Sequence, residues 1–100
     1  MVKHMILWKL NEKLTADEKQ KVLTDAKREL EALVGKVEGL IDLRLEITGL
    51  ESSNADMMLD STLESEAALK AYQVNEYHQA AANNFVRPFT TERLCLDFEV

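Results

Sequence analysis

Residues 2–10 read V-K-H-M-I-L-W-K-L, a short apolar run near the N-terminus that predicts a first β-strand. Side chains alternate between the two faces of a strand, so every second residue of this run shares one side. The apolar side carries Val2, His4, Ile6, Trp8 and Leu10. His4 is therefore predicted to be buried, where its imidazole needs a hydrogen-bond partner because an unpaired buried polar group costs free energy.

The next two segments predict a helix and a second strand. Thr15 and Glu18 form a capping box, and Gly35 is a typical residue after a helix end. Between them runs an amphipathic stripe of Val22, Leu23, Ala26, Leu30 and Leu33. Residues 40–48 then alternate polar side chains with Ile41, Leu43, Leu45 and Ile47, which is the pattern of a half-buried strand.

The second half of the chain predicts strand, helix and strand. A polar turn at 49–55 leads to a strand over 56–63, and Ser65 can cap the helix that follows. Asn75 is predicted to interrupt this helix, which resumes to about Val86 before Arg87-Pro88 ends it. In the last strand, we expect the alternating apolar residues to face the helices: Leu94, Leu96, Phe98 and Val100.

This βαββαβ order predicts a single α+β domain over residues 1–100. The short turn between strands two and three implies a hairpin, and each helix crosses between strands. The arrangement is ferredoxin-like: a four-stranded antiparallel sheet with both helices on one face.

The sheet face away from the helices is predicted to mediate self-association. We expect it to have an apolar centre of Met5, Leu7, Met58 and Cys95 with charged residues around it. Such a patch is typical of an interaction surface, and two sheets packed face to face would give a homodimer. A solvated face with a few scattered apolar residues is the alternative.

Composition narrows the range of partners and compartments. The 100-residue chain has a net charge of −6, which argues against binding to nucleic acid or to an anionic membrane. Its one cysteine, Cys95, cannot form an intrachain disulfide, and no signal peptide or membrane span is evident, so we expect a cytoplasmic protein.

The candidate chemistry lies on the helix side of the sheet. His4, Tyr72 and His78 are predicted to meet around one cavity, where imidazoles and a phenol can act as general acid and base. Its walls are expected to include Trp8, Met57 and Phe85. A packing role for the same residues is the alternative. No metal is expected, since the two histidines lie far apart in sequence, and no cofactor is expected without a glycine-rich phosphate loop.

Several motifs together resemble the stress-responsive A/B barrel (Dabb) family. They are V-K-H-M-I-L-W-K-L at the start, A-L-K-A-Y-Q in the second helix, the later His78 and the closing L-D-F-E-V. The resemblance covers essentially the whole chain and implies a ferredoxin-like monomer that forms a dimeric α/β barrel. Most members of this family have no assigned activity.

The resemblance also implies an enzymatic alternative. A plant polyketide-cyclase branch of the family uses the matching tyrosine and histidine, here Tyr72 and His78, as an acid/base pair, with His4 in the same cavity. This chain departs from the family at positions 75–78, where Asn-Glu-Tyr-His replaces the frequent His-Pro-x-His, and at Met57, where the cyclases have histidine. The sequence therefore favours a homodimer that binds a small apolar metabolite, with a cyclase or lyase as the alternative. A cofactor-independent monooxygenase rests on fold analogy alone.

Overall fold

The computed structural model describes residues 1–100 and has the predicted βαββαβ order, with the second helical region split in two. The strands are β1 (Val2–Leu10), β2 (Leu40–Glu46), β3 (Met57–Leu63) and β4 (Thr90–Glu99), and the helices are α1 (Ala16–Glu31), α2 (Glu66–Val74) and α3 (Glu76–Phe85). A 3₁₀ turn at Arg87–Phe89 links α3 to β4. No helix has the length and apolar character needed to cross a membrane.

The four strands form one sheet in the order β2-β3-β1-β4, and every neighbouring pair is antiparallel. The helices cover one face of this sheet. This arrangement confirms the predicted ferredoxin-like fold, in which β1 and β3 are the central strands.

Local capping explains where the helices begin. Thr15 Oγ1 accepts a hydrogen bond from the Glu18 amide, and the Glu18 carboxylate accepts one from the Thr15 amide, as the capping-box motif predicts. Ser65 caps α2 through the Ala68 amide. Asn75 ends α2 and caps α3, because its extended backbone breaks the helix while its side chain accepts from two amides of the next one.

The apolar face of β1 packs into the core as predicted. Its five residues, Val2, His4, Ile6, Trp8 and Leu10, are all buried, and His4 is only 2% exposed. The inward residues of β3 lie opposite them, and α1 covers them with Val22, Ala26 and Leu30. The imidazole of His4 therefore lies between the sheet and the helices that cover it.

The predicted orientation of β4 is wrong. Cys95 pairs with Ile6, and Asp97 pairs with His4, so both lie on the helix side of the sheet. The opposite face of the sheet, which we call the outer face, instead carries Met5, Leu7, Met58, Leu94, Leu96 and Phe98. Leu94 is 71% exposed and Leu96 66%, because β4 is an edge strand whose apolar residues point away from the helices.

One residue pair in β2 also differs from the prediction. The register between β2 and β3 shifts between Leu40 and Asp42, so Leu40 is buried and Ile41 is exposed. A bulge of this kind reverses the side-chain alternation locally. Beyond it, Leu43 and Leu45 are buried as the pattern predicts.

Candidate functional site

A cleft of about 440 Å³ opens on the helix side of the sheet, between β1, β4 and the junction of α2 with α3. This volume is in the range of small-molecule sites. Thirteen residues line it: His4, Ile6, Trp8, Leu30, Leu59, Tyr72, Gln73, His78, Ala82, Val86, Arg87, Thr90 and Arg93.

Two of the residues predicted to line the cavity lie elsewhere. Met57 is buried at the end of β3 opposite Trp8 and does not reach the cleft. Phe85 lies on the side of α3 that faces α1, near Leu14 and Val22. The other predicted residues, His4, Trp8, Tyr72 and His78, all line the cleft.

Tyr72 and His78 stack against each other on the helical wall of the cleft. Their ring centroids are 4.2 Å apart and their planes are tilted by 35°. The break at Asn75 turns α3 back toward Tyr72 and brings His78 over the phenol ring. Nδ1 of His78 is buried.

His4 forms the opposite wall, and its orientation is set by β4. Its Nδ1 is hydrogen-bonded to the carboxylate of Asp97, directly across the β1–β4 pair. The His4 ring also meets Tyr72 edge-on, with centroids 5.9 Å apart. An aspartate bound to one imidazole nitrogen fixes the ring and leaves the other nitrogen for a different partner.

Burial controls the protonation of the stacked pair. It lowers the pKa of His78 below the ordinary 6.5; a hydrogen bond with the Gln73 backbone acts against this shift, and the positive charge of Arg87 adds to it. Burial also raises the pKa of Tyr72 well above its ordinary value. At neutral pH the cleft therefore holds a neutral imidazole, which can accept a proton, next to a phenol that can donate a hydrogen bond.

A second cluster adjoins His4 at the edge of the sheet. The ligand-type atoms of His4, Cys95 and Asp97 all lie within 4.8 Å of one another, and imidazole, thiolate and carboxylate groups are each ligands of metal ions in proteins. The cluster is already joined by hydrogen bonds, since the Cys95 thiol donates to Asp97 at 3.4 Å. Burial and this acceptor raise the pKa of the Cys95 thiol, so the sulfur is protonated rather than a reactive thiolate.

Comparison with known proteins places the chain in a family. The model of the stress responsive A/B barrel domain (Dabb) matches residues 2–100. Among curated proteins, none matches.

Solved structures show the same fold. A dimeric protein of unknown function from Bacteroides fragilis is 25% identical, with 99% of this chain and 95% of that chain covered and a TM-score of 0.93. A dimeric ferredoxin-like protein of unknown function from Thermobifida fusca is also 25% identical, with 99% and 90% covered and a TM-score of 0.79.

A third solved structure, the hydroxynitrile lyase of Passiflora edulis, shares the fold at 13% identity, with 97% and 90% covered and a TM-score of 0.71. The match to the family model spans nearly the whole sequence and agrees with the motifs and the fold. The chain belongs to the stress responsive A/B barrel domain (Dabb) family.

Proposed function

We propose that the cleft binds a small, largely apolar carbonyl compound and moves a proton on it, with Tyr72 and His78 as the acid/base pair. One observation carries this proposal: the rings of Tyr72 and His78 stack at 4.2 Å on the wall of a cleft that His4 also lines.

The reaction would begin with proton removal from the carbon next to the carbonyl. Neutral His78 accepts the proton, the electron pair of the C–H bond forms the C=C bond of an enolate, and the π pair of the carbonyl moves to its oxygen, to which the Tyr72 hydroxyl donates a hydrogen bond. Return of a proton from protonated His78 to the carbon completes an exchange. Attack of the enolate carbon on a second carbonyl of the same molecule forms a C–C bond, and the resulting alkoxide takes the proton from His78, which gives an aldol-type cyclisation. His4 is the positioning residue on the opposite wall, held by Asp97.

Apolar neighbours support a ligand with a hydrophobic body. Ile6, Trp8 and Leu59 line the sheet side of the cleft, and burial of an apolar group against them contributes about 25 cal/mol per Å². Exclusion of water by this surface would also strengthen the hydrogen bond from Tyr72.

We also propose that the chain is a homodimer that associates through the outer face. The outer face carries an apolar strip across the three adjacent strands β3, β1 and β4, formed by Met5, Leu7, Met58, Leu94, Leu96 and Phe98. The ion pair of Lys3 with Asp60 lies beside the strip, as is typical of a polar rim. Two solved structures of similar fold are dimeric, which supports self-association here.

The proton-transfer proposal can be tested with 1-phenylpropan-2-one as the probe. Trp8 is the one tryptophan of the chain and lines the cleft, so its fluorescence should report binding. Exchange of the α-hydrogens in D₂O, followed by NMR, should be faster with the protein than without it. We expect His78→Gln and Tyr72→Phe to lower the rate by about 100-fold or more, in the range of general acid–base catalysis.

Tyr77→Phe is the matched control, because Tyr77 is exposed on α3 and does not line the cleft. Exchange that is unchanged in both cleft variants, with thermal unfolding that is also unchanged, would contradict the proposed acid/base pair. Binding without any exchange would leave a binding protein and refute the enzymatic part.

A further inference from the structure

The charge of the cleft is opposite to the charge of the molecule. The chain carries 18 acidic and 12 basic residues, yet no aspartate or glutamate is among the thirteen residues that line the cleft. Its two permanently charged lining residues are Arg87 and Arg93. The carboxylate of Asp97 lies next to this lining and is bound to the imidazole of His4, so the charged groups of the lining itself are the two arginines.

Neither arginine has its charge neutralised within the chain. Arg87 donates to the side-chain oxygens of Gln79, at 3.0 Å, and Asn83, at 2.5 Å, which are both neutral groups. Neither Arg87 nor Arg93 takes part in any of the seven ion pairs. By contrast, Arg28 pairs with Asp25, and Arg44 pairs with Glu46.

The two arginines enter the cleft from consecutive parts of the chain. Arg87 opens the 3₁₀ turn after α3, and Arg93 lies on β4 directly across from Trp8. His78 and Tyr72 lie on the helical wall of the same cleft. The cleft that contains the Tyr72–His78 pair therefore also contains two guanidinium groups that have no acidic partner.

We propose that the ligand of this cleft is anionic: a small carbonyl compound that also carries a carboxylate, which Arg87 and Arg93 bind while its apolar part lies against Trp8. This inference rests on the proposed function, since it assigns a substrate class to the same site. A guanidinium group presents paired N–H donors that match the two oxygens of a carboxylate, and such charge-assisted hydrogen bonds are stronger than neutral ones.

A matched pair of probes tests the inference. 3-Benzoylpropanoate and its amide, 3-benzoylpropanamide, have the same aryl ketone and nearly the same shape but differ in charge. Titration of each probe, followed by the fluorescence of Trp8, should give about 10- to 100-fold tighter binding for the carboxylate, as expected for a hydrogen bond to a charged group. Added salt should weaken the binding of the carboxylate probe and leave the binding of the amide probe unchanged.

Substitutions identify the residues responsible. We expect Arg93→Gln and Arg87→Gln each to reduce the preference for the carboxylate, with little change for the amide. Both side chains are exposed, so the variants should keep the thermal stability of the wild type. Arg28→Gln is the matched control, because Arg28 is an exposed arginine on α1 outside the cleft.

The outcomes separate the two proposals. Equal binding of the two probes to the wild type would overturn the anion inference and leave the small-molecule cleft intact. If neither probe binds, the proposed function itself fails. A preference that survives in Arg87→Gln and Arg93→Gln, or that Arg28→Gln reduces as much, would also overturn the assignment.

Discussion

Replacing Leu96 by aspartate is expected to dissociate the proposed homodimer. Leu96 lies on the outer face and is 66% exposed in one chain. Full burial of a leucine side chain stabilises by roughly 1.5–3 kcal/mol, so covering this exposed part is worth about 1–2 kcal/mol. Each protomer of a twofold dimer contributes one Leu96, so the two residues together are worth about 2–4 kcal/mol. Their loss should raise the dimer dissociation constant about 30- to 700-fold.

Sedimentation velocity at micromolar concentrations measures this change directly. The wild type should sediment at twice the 11.4 kDa mass of the chain, and Leu96→Asp should shift toward the monomer. Val74→Asp adds the same charge at a residue that is 79% exposed on α2, away from the sheet, and should leave the dimer intact. A Leu96→Asp protein with an unchanged dissociation constant, or a wild type that is already monomeric, would refute the proposed interface.

Three further predictions concern protonation and stability. Because burial lowers the pKa of His78 from 6.5, the unfolded chain binds this proton at higher pH than the folded chain. The free energy of unfolding should therefore fall as the pH drops below about 6.5. Urea denaturation above and below this pH should show that the free energy of unfolding depends less on pH in His78→Gln than in the wild type; an equal dependence on pH in both proteins would contradict the assigned burial. Glu31 accepts the amide of Leu45 at 3.0 Å and ties α1 to β2, so Glu31→Ala should lower the free energy of unfolding by about 1–3 kcal/mol in the same assay. Unaltered stability would mean that this contact contributes nothing. Gly39 has a positive φ of 84°, and an added Cβ would lie 2.8 Å from a side chain of α2. Gly39→Ala should therefore lower the melting temperature more than Gly35→Ala, which has a similar φ but open space; equal losses would contradict this.

The sequence predicts those parts of the fold that local chemistry decides. The capping box at Thr15, the cap at Ser65 and the break at Asn75 each involve residues within one turn of the helix they define. The apolar face of β1 is likewise evident from alternation alone. These features need no knowledge of what packs against them.

The orientation of β4 could not be predicted by the same means. Alternation separates a strand into two faces without saying which face meets the helices. In β4 the apolar set of Leu94, Leu96 and Phe98 points outward, and the polar set with Cys95 and Asp97 points to the helix side. An apolar face that another sheet covers has the same pattern as an apolar face that a helix covers.

The sequence predicts the residues of the candidate site that local patterns reveal, but it does not predict the contacts that depend on the register between distant strands. His4, Tyr72 and His78 stand out as the aromatic and titratable residues of apolar faces, and the fold brings them to one cleft. The contact of His4 with Asp97 spans 93 positions and depends on the β1–β4 register. Arg93 enters the cleft through the same register, so neither residue carries a local signal.

Both proposals for the cleft beside Tyr72 and His78 require that it binds a ligand. NMR chemical-shift mapping with 3-benzoylpropanoate tests this requirement most directly, because every residue reports its own environment. We expect chemical-shift changes centred on His4, Trp8, Tyr72 and His78, and smaller changes in Arg93→Gln. Shifts centred on Leu94 and Leu96 of the outer face, or no shifts at all, would contradict this expectation.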